Sequence, residues 1–334
     1  MDLQRRCLGV GSVLIVTAVI LRLLSAGAWQ TIAAALEAPE TAAFVLYLET
    51  GRIVRPEPEP STAPTLPQSE PQPEPTTVPT EPPRLQPEVP CFAPSDASLV
   101  DVRYHADYRP DLQQMVTSTL RWDLCTDGPA VLILSSHATE SYDPQAEPYT
   151  SSGAYRTLDT QRNMISIGAY VAGLLEQAGI HVIHDTTLHD YPSYNDSYIA
   201  SRKTVQAYLE QYPTISLVLD LHRDATDEGA VQLDTSATVD GEESAQLMVV
   251  VGTRQEGWQS NMALAVKLTA LLEKRHPGIT RPISFRTQRF NQDLSPGALL
   301  VEVGAAGNTR QEALTAAKVL AEAIIALSRG ANYE

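Results

Sequence analysis

The sequence predicts a single three-layer α/β domain, a mostly parallel sheet covered by helices on both faces, over residues 96–334 of a 334-residue chain. Three observations lead there. Five short, continuous apolar runs of strand length alternate with four segments of helical period, and that alternation is what βαβ units produce. No internal repeat and no glycine-rich phosphate loop breaks the pattern, so nucleotide binding has no support. The residues before 96 have a composition that cannot build a core, which leaves length for about one domain.

Taking the elements in order, Arg5 and Arg6 directly precede an apolar run from Leu8 to Trp29 broken only by Arg22. As a helix the run is about 33 Å long, enough for a bilayer core of about 30 Å. Arg22 sits near its far end, where it can snorkel to the headgroups. The two leading arginines hold the N-terminus in the cytoplasm and send the rest outward. A cleaved signal peptide is the rival reading, with Ala26-Gly27-Ala28 as its small-residue site, but the apolar stretch exceeds the usual signal length of about 7 to 15 residues. We therefore expect a transmembrane anchor over 1–29, with the protein a single-pass component of the cell membrane. Residues 30–55 form a juxtamembrane segment too short for a domain. Fourteen of the 24 prolines lie between Pro56 and Pro94, so 56–95 reads as an extended, disordered spacer of up to about 100 Å.

Beyond it, residues 131–137, 181–187, 215–222, 247–253 and 298–304 read as buried strands, because each is a nearly unbroken apolar run. The segments 163–179, 197–213, 261–278 and 309–330 scan at helical period, the first ending at the stop signal Gly179. In such sheets the site lies beyond the carboxyl ends of the strands.

Charge narrows the function classes. The net charge of -16 divides into -1 over residues 1–50, -4 over 51–100 and -11 over 101–334. A domain this acidic has no electrostatic attraction to nucleic acid. Cysteine says little: Cys91 and Cys125 could pair, but two cysteines make no disulfide framework and no CxxC suggests a thiolate metal site.

The strand ends carry the chemistry. His137 and Glu140, spaced HxxE after the first strand, fall on one side of a helical turn. His222 ends the third strand and would complete the His₂Glu set of catalytic zinc sites, which keep one position open for water. Glu302 lies inside an apolar strand; burial costs a carboxylate several kcal/mol unless it is paired or near a metal. It is either functional or a salt-bridged structural residue. Arg223 either pairs with Asp224 to shape the loop or holds a substrate carboxylate. His184-Asp185 and His189-Asp190 are further candidates, each equally readable as a hydrogen-bonded structural pair. His276 reads as a helix C-terminal group, and His105 and His181 suggest no chemistry.

The runs SSHATESY, GIHVIHDTTLHDYPSYNDSY, SLVLDLHRDA and RFNQDLSPGALLVEVGAAGNT, with the helix after them, resemble the stage II sporulation protein P family of cell-wall hydrolases. The resemblance covers about residues 100–330 and keeps motif order and spacing. It implies the fold of zinc-dependent N-acetylmuramoyl-L-alanine amidases and zinc carboxypeptidases. It also implies amidase activity on peptidoglycan stem peptides with added cross-link endopeptidase activity, a role in forespore engulfment, and a stage II sporulation protein D-like lytic transglycosylase as partner. On this reading Zn²⁺ is held by His137, Glu140 and His222, with Glu302 as the base and Arg223, Asp224, His189 and Asn291 around the substrate or behind the ligands. One departure stands out: the family usually has a histidine where this chain has Ser135, and His137 is retained as ligand because it alone keeps the HxxE spacing to Glu140. Two alternatives remain, a zinc carboxypeptidase acting on wall peptides and a non-catalytic wall-binding scaffold.

Overall fold

Why the apolar runs become strands is visible in the first of them: all four residues of Val131–Leu134 are buried, with neighbours on both faces. In the computed structural model, which describes residues 90–120, 122–142, 155–225 and 235–330, the elements follow in the order β1 (Val102–Tyr104), α1 (Leu112–Thr117), β2 (Val131–Leu134), α2 (Met164–Gln177), β3 (Val182–His184), α3 (Ser197–Gln211), β4 (Leu217–Asp224), β5 (Ser236–Val239), β6 (Glu242–Ala245), β7 (Leu247–Gly252), α4 (Trp258–Arg275), β8 (Ile283–Arg286), β9 (Ala298–Ala305) and α5 (Arg310–Gly330). The expected anchor, the juxtamembrane segment and nearly all of the spacer lie outside the described residues. No helix among the described residues is long and apolar enough to cross a membrane. Cys91 and Cys125 are both exposed, free thiols.

Seven strands form one sheet in the order β1-β8-β7-β9-β4-β2-β3, and β5-β6 form a separate hairpin. Every neighbouring pair in the large sheet is parallel except β7 and β9. The expected mostly parallel α/β sheet is therefore present, with one reversal. That reversal matters, because it brings the carboxyl ends of β2, β4 and β9 to the same edge as the amino ends of β7 and β8.

The two faces are unequally covered. Val131 and Ile133 of β2, Leu217, Leu219 and Leu221 of β4, and Leu299, Val301 and Val303 of β9 join α1, α2, α4 and α5 in the larger core. Leu132, Leu134, Val218 and Ala298 point the other way, onto Val205 of α3. Strand side chains alternate, so Asp220 and His222 of β4 and Leu300 and Glu302 of β9 share the α3 face. Because α3 lies over the β2 side of the sheet, it leaves β7, β8 and β1 to form one side of a cleft, with Val250 and Ser284 buried at its base and Arg103 and Arg286 exposed.

Local signals set the helix starts. The Asn163 side chain accepts the Ile165 amide at 3.0 Å to open α2. At α5 the Thr309 amide donates to Glu312 Oε2 at 2.8 Å and the Glu312 amide to Thr309 Oγ1 at 3.2 Å, a reciprocal capping box. One glycine is required by geometry: Gly304 of β9 has φ 73°, and a Cβ there would lie 2.6 Å from the Ala245 Cβ.

Candidate metal centre

Immediately past β2 the chain makes a tight turn, and the Glu140 amide donates to the His137 carbonyl at 3.1 Å. This one turn, not a helix, brings the HxxE side chains together. His137 Nδ1 lies 3.3 Å from Glu140 Oε1, and His222 Nδ1, arriving on β4, lies 3.5 Å from Glu140 Oε2. One donor atom from each of the three lies within 4.8 Å of the others. Register completes the group: His222 stands directly opposite Glu302 in the β4/β9 pair.

Each member is held from behind. Asp220, two residues before His222 and so on the same face, accepts from His222 Nε2 at 2.8 Å. The amide and hydroxyl of Ser136 donate to the same carboxylate at 2.7 and 2.5 Å. With Nε2 carrying the proton, the neutral imidazole presents a bare Nδ1 to the centre. Asp190 fixes the HxxE turn by accepting from the Thr139 amide and hydroxyl at 3.1 and 2.5 Å and from Arg156 at 2.8 Å. Arg156 also reaches Glu140 Oε1 at 3.2 Å.

Electrostatics follow from this burial. Removal from water alone would raise the Glu140 carboxyl, but the Arg223 guanidinium and hydrogen bonds from His137 and His222 hold it well below the usual carboxylate range. Burial would lower His222, yet Asp220 and Glu140 raise it well above the ordinary imidazole value. Glu302 behaves oppositely: burial pushes its carboxyl up to about 8, with Glu140 and Asp224 adding to the rise and His222 and Arg223 opposing it.

The donor set fits a zinc ion. Two imidazoles and a carboxylate are the nitrogen and oxygen ligands zinc takes at three-ligand sites, and the Asp220–His222 bond is the support such ligands have. Glu302 Oε2 is buried and has no hydrogen-bond partner among the described residues. An acceptor left in that condition is expected beside a water or cation rather than in a finished core. Of the two readings of Glu302, the salt-bridged one has no ion pair behind it among the described residues.

Of the residues expected around the substrate or behind the ligands, Arg223 lies behind Glu140 and Asp224 lines the cleft over the centre, while His189 and Asn291 pack against α3. Arg223 does not pair with Asp224. Its Nε donates to the Ser141 carbonyl at 2.9 Å and Nη2 to the Tyr155 carbonyl at 3.0 Å, while its amide reaches Glu140 Oε2 at 3.3 Å; its guanidinium is buried structure. Asp224 pairs instead with Arg281 at 2.7 Å. His189 Nδ1 donates to the Ser135 carbonyl at 3.0 Å and its Nε2 lies 3.1 Å from Thr204 Oγ1, tying the first turn to α3. Asn291 likewise brackets α3, donating to the Tyr198 carbonyl at 2.9 Å. Ser135 is buried outside the cluster.

A cleft of about 440 Å³ opens over the centre, lined by His137, Glu140, His222 and Glu302. It also takes in residues the sequence reasoning missed. Tyr194 faces His137 with ring centroids 4.6 Å apart, and Tyr198 stacks on His222 at 6.4 Å. Arg103, Arg281 and Arg286 form its far side. For Asp220 the signal was present, since alternation along LDLH puts it on the face of His222.

The family model of stage II sporulation protein P (SpoIIP) matches residues 68–325. Stage II sporulation protein P of Bacillus subtilis (strain 168) is 29% identical over 207 residues, 59% of this chain and 50% of the relative, so the chain spans about half the length of that protein. Among solved structures, the N-acetylmuramoyl-L-alanine amidase AmiC2 of Nostoc punctiforme is 17% identical, covering 60% of this chain and 94% of its own with a TM-score of 0.36. The apo amidase Ami1 of Mycobacterium abscessus is 12% identical, covering 59% and 98% with a TM-score of 0.37. The CwlD amidase of Clostridioides difficile, solved with the GerS lipoprotein, is 13% identical, covering 60% and 95% with a TM-score of 0.36. With the family model matched over more than half its length, this chain belongs to the stage II sporulation protein P family.

Proposed function

We propose that the chain is a zinc-dependent peptidoglycan hydrolase, an N-acetylmuramoyl-L-alanine amidase that also cuts peptide cross-links, acting in forespore engulfment. The observation that carries this reading is the His137–Glu140–His222 cluster, with donor atoms within 4.8 Å, set beside the orphaned carboxylate of Glu302. His137, Glu140 and His222 would hold the ion, and zinc there would supply Lewis acidity, polarising the scissile carbonyl and making water nucleophilic near neutral pH. Glu302 would take the proton of the attacking water and hand it to the leaving nitrogen of L-alanine. Burial raises the metal-free carboxyl to about 8, which suits the donation step, and a cation bound beside it would favour the ionised form that the proton-accepting step requires. Asp220 would keep His222 in the tautomer whose Nδ1 is free of hydrogen, and Arg223 helps keep Glu140 ionised. Met248, Val250 and Leu300 give the cleft a floor with few competing polar groups.

In the same reading residues 1–29 anchor the protein in the cell membrane, 30–55 lie next to it, 56–95 space the domain outward, and 96–334 carry catalysis on the extracytoplasmic side. A lytic transglycosylase resembling stage II sporulation protein D would act alongside on the glycan.

The test is metal analysis of the full chain together with mass spectrometry of products from purified wall. His137→Ala and His222→Ala should lose zinc and lysis; Glu302→Gln should keep zinc and lose lysis. Full lytic activity in any of the three removes that residue from the scheme. Loss of zinc in Glu302→Gln with retention in Glu140→Gln would mean ligand and base are exchanged. Release of free D-amino acids in place of separated muramyl ends would favour a carboxypeptidase, and wall binding without zinc a scaffold.

A further inference from the structure

We propose that the side of the cleft formed by β7, β8 and β1 is a recognition surface for the carboxylates of the stem peptide, with Arg103 and Arg286 as the contacting groups. The proposal rests on the hydrolase reading above and names where its substrate lies. Register makes the face continuous with the centre. Met248 stands opposite Glu302 and Val250 opposite Leu300; Val250 is then opposite Ser284, and Ser284 opposite Arg103 on the edge strand. Arg286 follows Ser284 by two residues on the same face. Arg103, Arg286, Met248, Val250 and Ser284 all line the cleft that holds the metal cluster.

Charge selects the occupant. The domain carries -11 over residues 101–334, yet residues 251–300 hold seven Lys or Arg against three Asp or Glu. Of the arginines lining the cleft, Arg281 is neutralised by Asp224 at 2.7 Å, Arg156 is paired with Glu140 and Asp190, and Arg223 is buried. Arg103 and Arg286 are exposed and make no ion pair among the described residues. Arg286 Nε donates to Ser284 Oγ at 3.1 Å. A guanidinium fork suits a carboxylate better than a lysine would.

Distance sets which carboxylate. From β9 to β1 is three strand spacings, about 14 Å, and an extended peptide covers about 3.3 Å per residue. A stem peptide with its first amide at the centre therefore brings its second and third residues within reach of the two side chains. The opposite side of the centre is walled by the aromatic rings of Tyr194 and Tyr198, and the Arg156 guanidinium over Tyr194 is already paired with Glu140 and Asp190.

The experiment uses the full chain loaded with zinc, in wild-type form and as Arg103→Gln, Arg286→Gln and the double variant. Two probes are compared, a muramoyl tripeptide with free carboxylates and the same compound with its carboxylates amidated. For the free acid the double variant should raise the dissociation constant and KM at least tenfold and leave kcat within twofold. For the amidated probe all three should stay within twofold of wild type. Equal binding of both probes by the wild-type chain, no binding of either, or an unchanged preference in the double variant would overturn the surface. Hydrolysis is scored separately: arginine-dependent binding without cleavage sinks the amidase reading and keeps the surface, and cleavage with arginine-independent binding does the reverse.

Discussion

Asp220→Asn isolates the support behind a metal ligand without emptying its site. Asp220 accepts three hydrogen bonds, from the Ser136 amide at 2.7 Å, the Ser136 hydroxyl at 2.5 Å and His222 Nε2 at 2.8 Å. Asparagine can keep its oxygen toward the Ser136 amide and His222, and the Ser136 hydroxyl can turn toward Ser201 Oγ, 2.9 Å away. What is lost is charge. A hydrogen bond to a charged group contributes about 1.5–3 kcal/mol and a neutral one about 1 kcal/mol, so holding His222 in its metal-facing tautomer weakens by roughly 0.5–2 kcal/mol, or about 2- to 30-fold in zinc affinity. That range overlaps the ~10–100-fold effect usual for partners of metal-bound histidine. Asparagine also removes one of the carboxylates that raise His222, which relaxes proton competition and opposes the loss. The measurement therefore belongs at pH 8, where competition is smaller, as a chelator-competition dissociation constant on the full chain. Melting of the metal-free variant serves as the control for folding. A zinc affinity less than twofold below wild type, with the fold intact, would refute the claim that Asp220 positions His222.

Three other outcomes follow from the same geometry. Because His222 in the metal-free protein is raised well above its ordinary value of 6.5, its charged-form stabilisation is complete below that value and lost as pH rises through the folded pKa. Zinc must displace that proton, so calorimetry at pH 7 in two buffers of different ionisation heat should register proton release, and affinity should fall from pH 8 to pH 6. Glu302, pushed up to about 8 from 4.5, binds a proton in the folded state at a pH where the unfolded chain has lost it. Metal-free stability should therefore fall as pH rises from 4.5 to 8; Glu302→Gln should flatten that slope in thermal melts at pH 5, 6.5 and 8, and an unchanged slope would contradict the burial argument. Gly304→Ala should cost about 2–3 kcal/mol in urea unfolding, since φ is 73° and the new methyl would meet Ala245 Cβ at 2.6 Å and Asn308 Oδ1 at 2.9 Å; a cost under about 0.5 kcal/mol would mean the turn after β9 can relax.

What could be read from the chain depended on how much of a signal was local. Runs such as Val131–Leu134 and Ala298–Ala305 are buried on both faces, so apolar content alone exposed them. β1 and β8 escaped because three and four residues, partly exposed, leave no continuous run. The β5-β6 hairpin was missed although Asp240-Gly241, both at positive φ, is a strong hairpin turn pair. His137, Glu140, His222 and Glu302 were legible together because each sits at or near a strand's carboxyl end, where a parallel sheet gathers its polar groups. Asp224 and Arg281 are 57 residues apart and meet only through sheet order; nothing local announces such a pair. His189 and Asn291 were drawn into the site by residue type, yet packing against α3 claims both. Arg103 and Arg286 depend on a register between two short strands, which no periodicity reports.

That last dependence resolves a conflict in the charge. A domain carrying -11 should repel an anionic wall at long range, and attraction between exposed charges is screened beyond about 8–10 Å in any case. Net charge, however, governs encounter, whereas recognition is decided inside the cleft. There the carboxylates Glu140 and Asp224 are each already paired with arginine, while Arg103 and Arg286 stand exposed on the edge strand and the next one. The domain can thus be a poor adsorbent of bulk wall and still a selective reader of one peptide end, with arrival at the wall left to the proposed tether and partner. If so, raising ionic strength should strengthen encounter with intact wall while weakening the preference for the free-acid tripeptide, two opposite salt slopes from one protein.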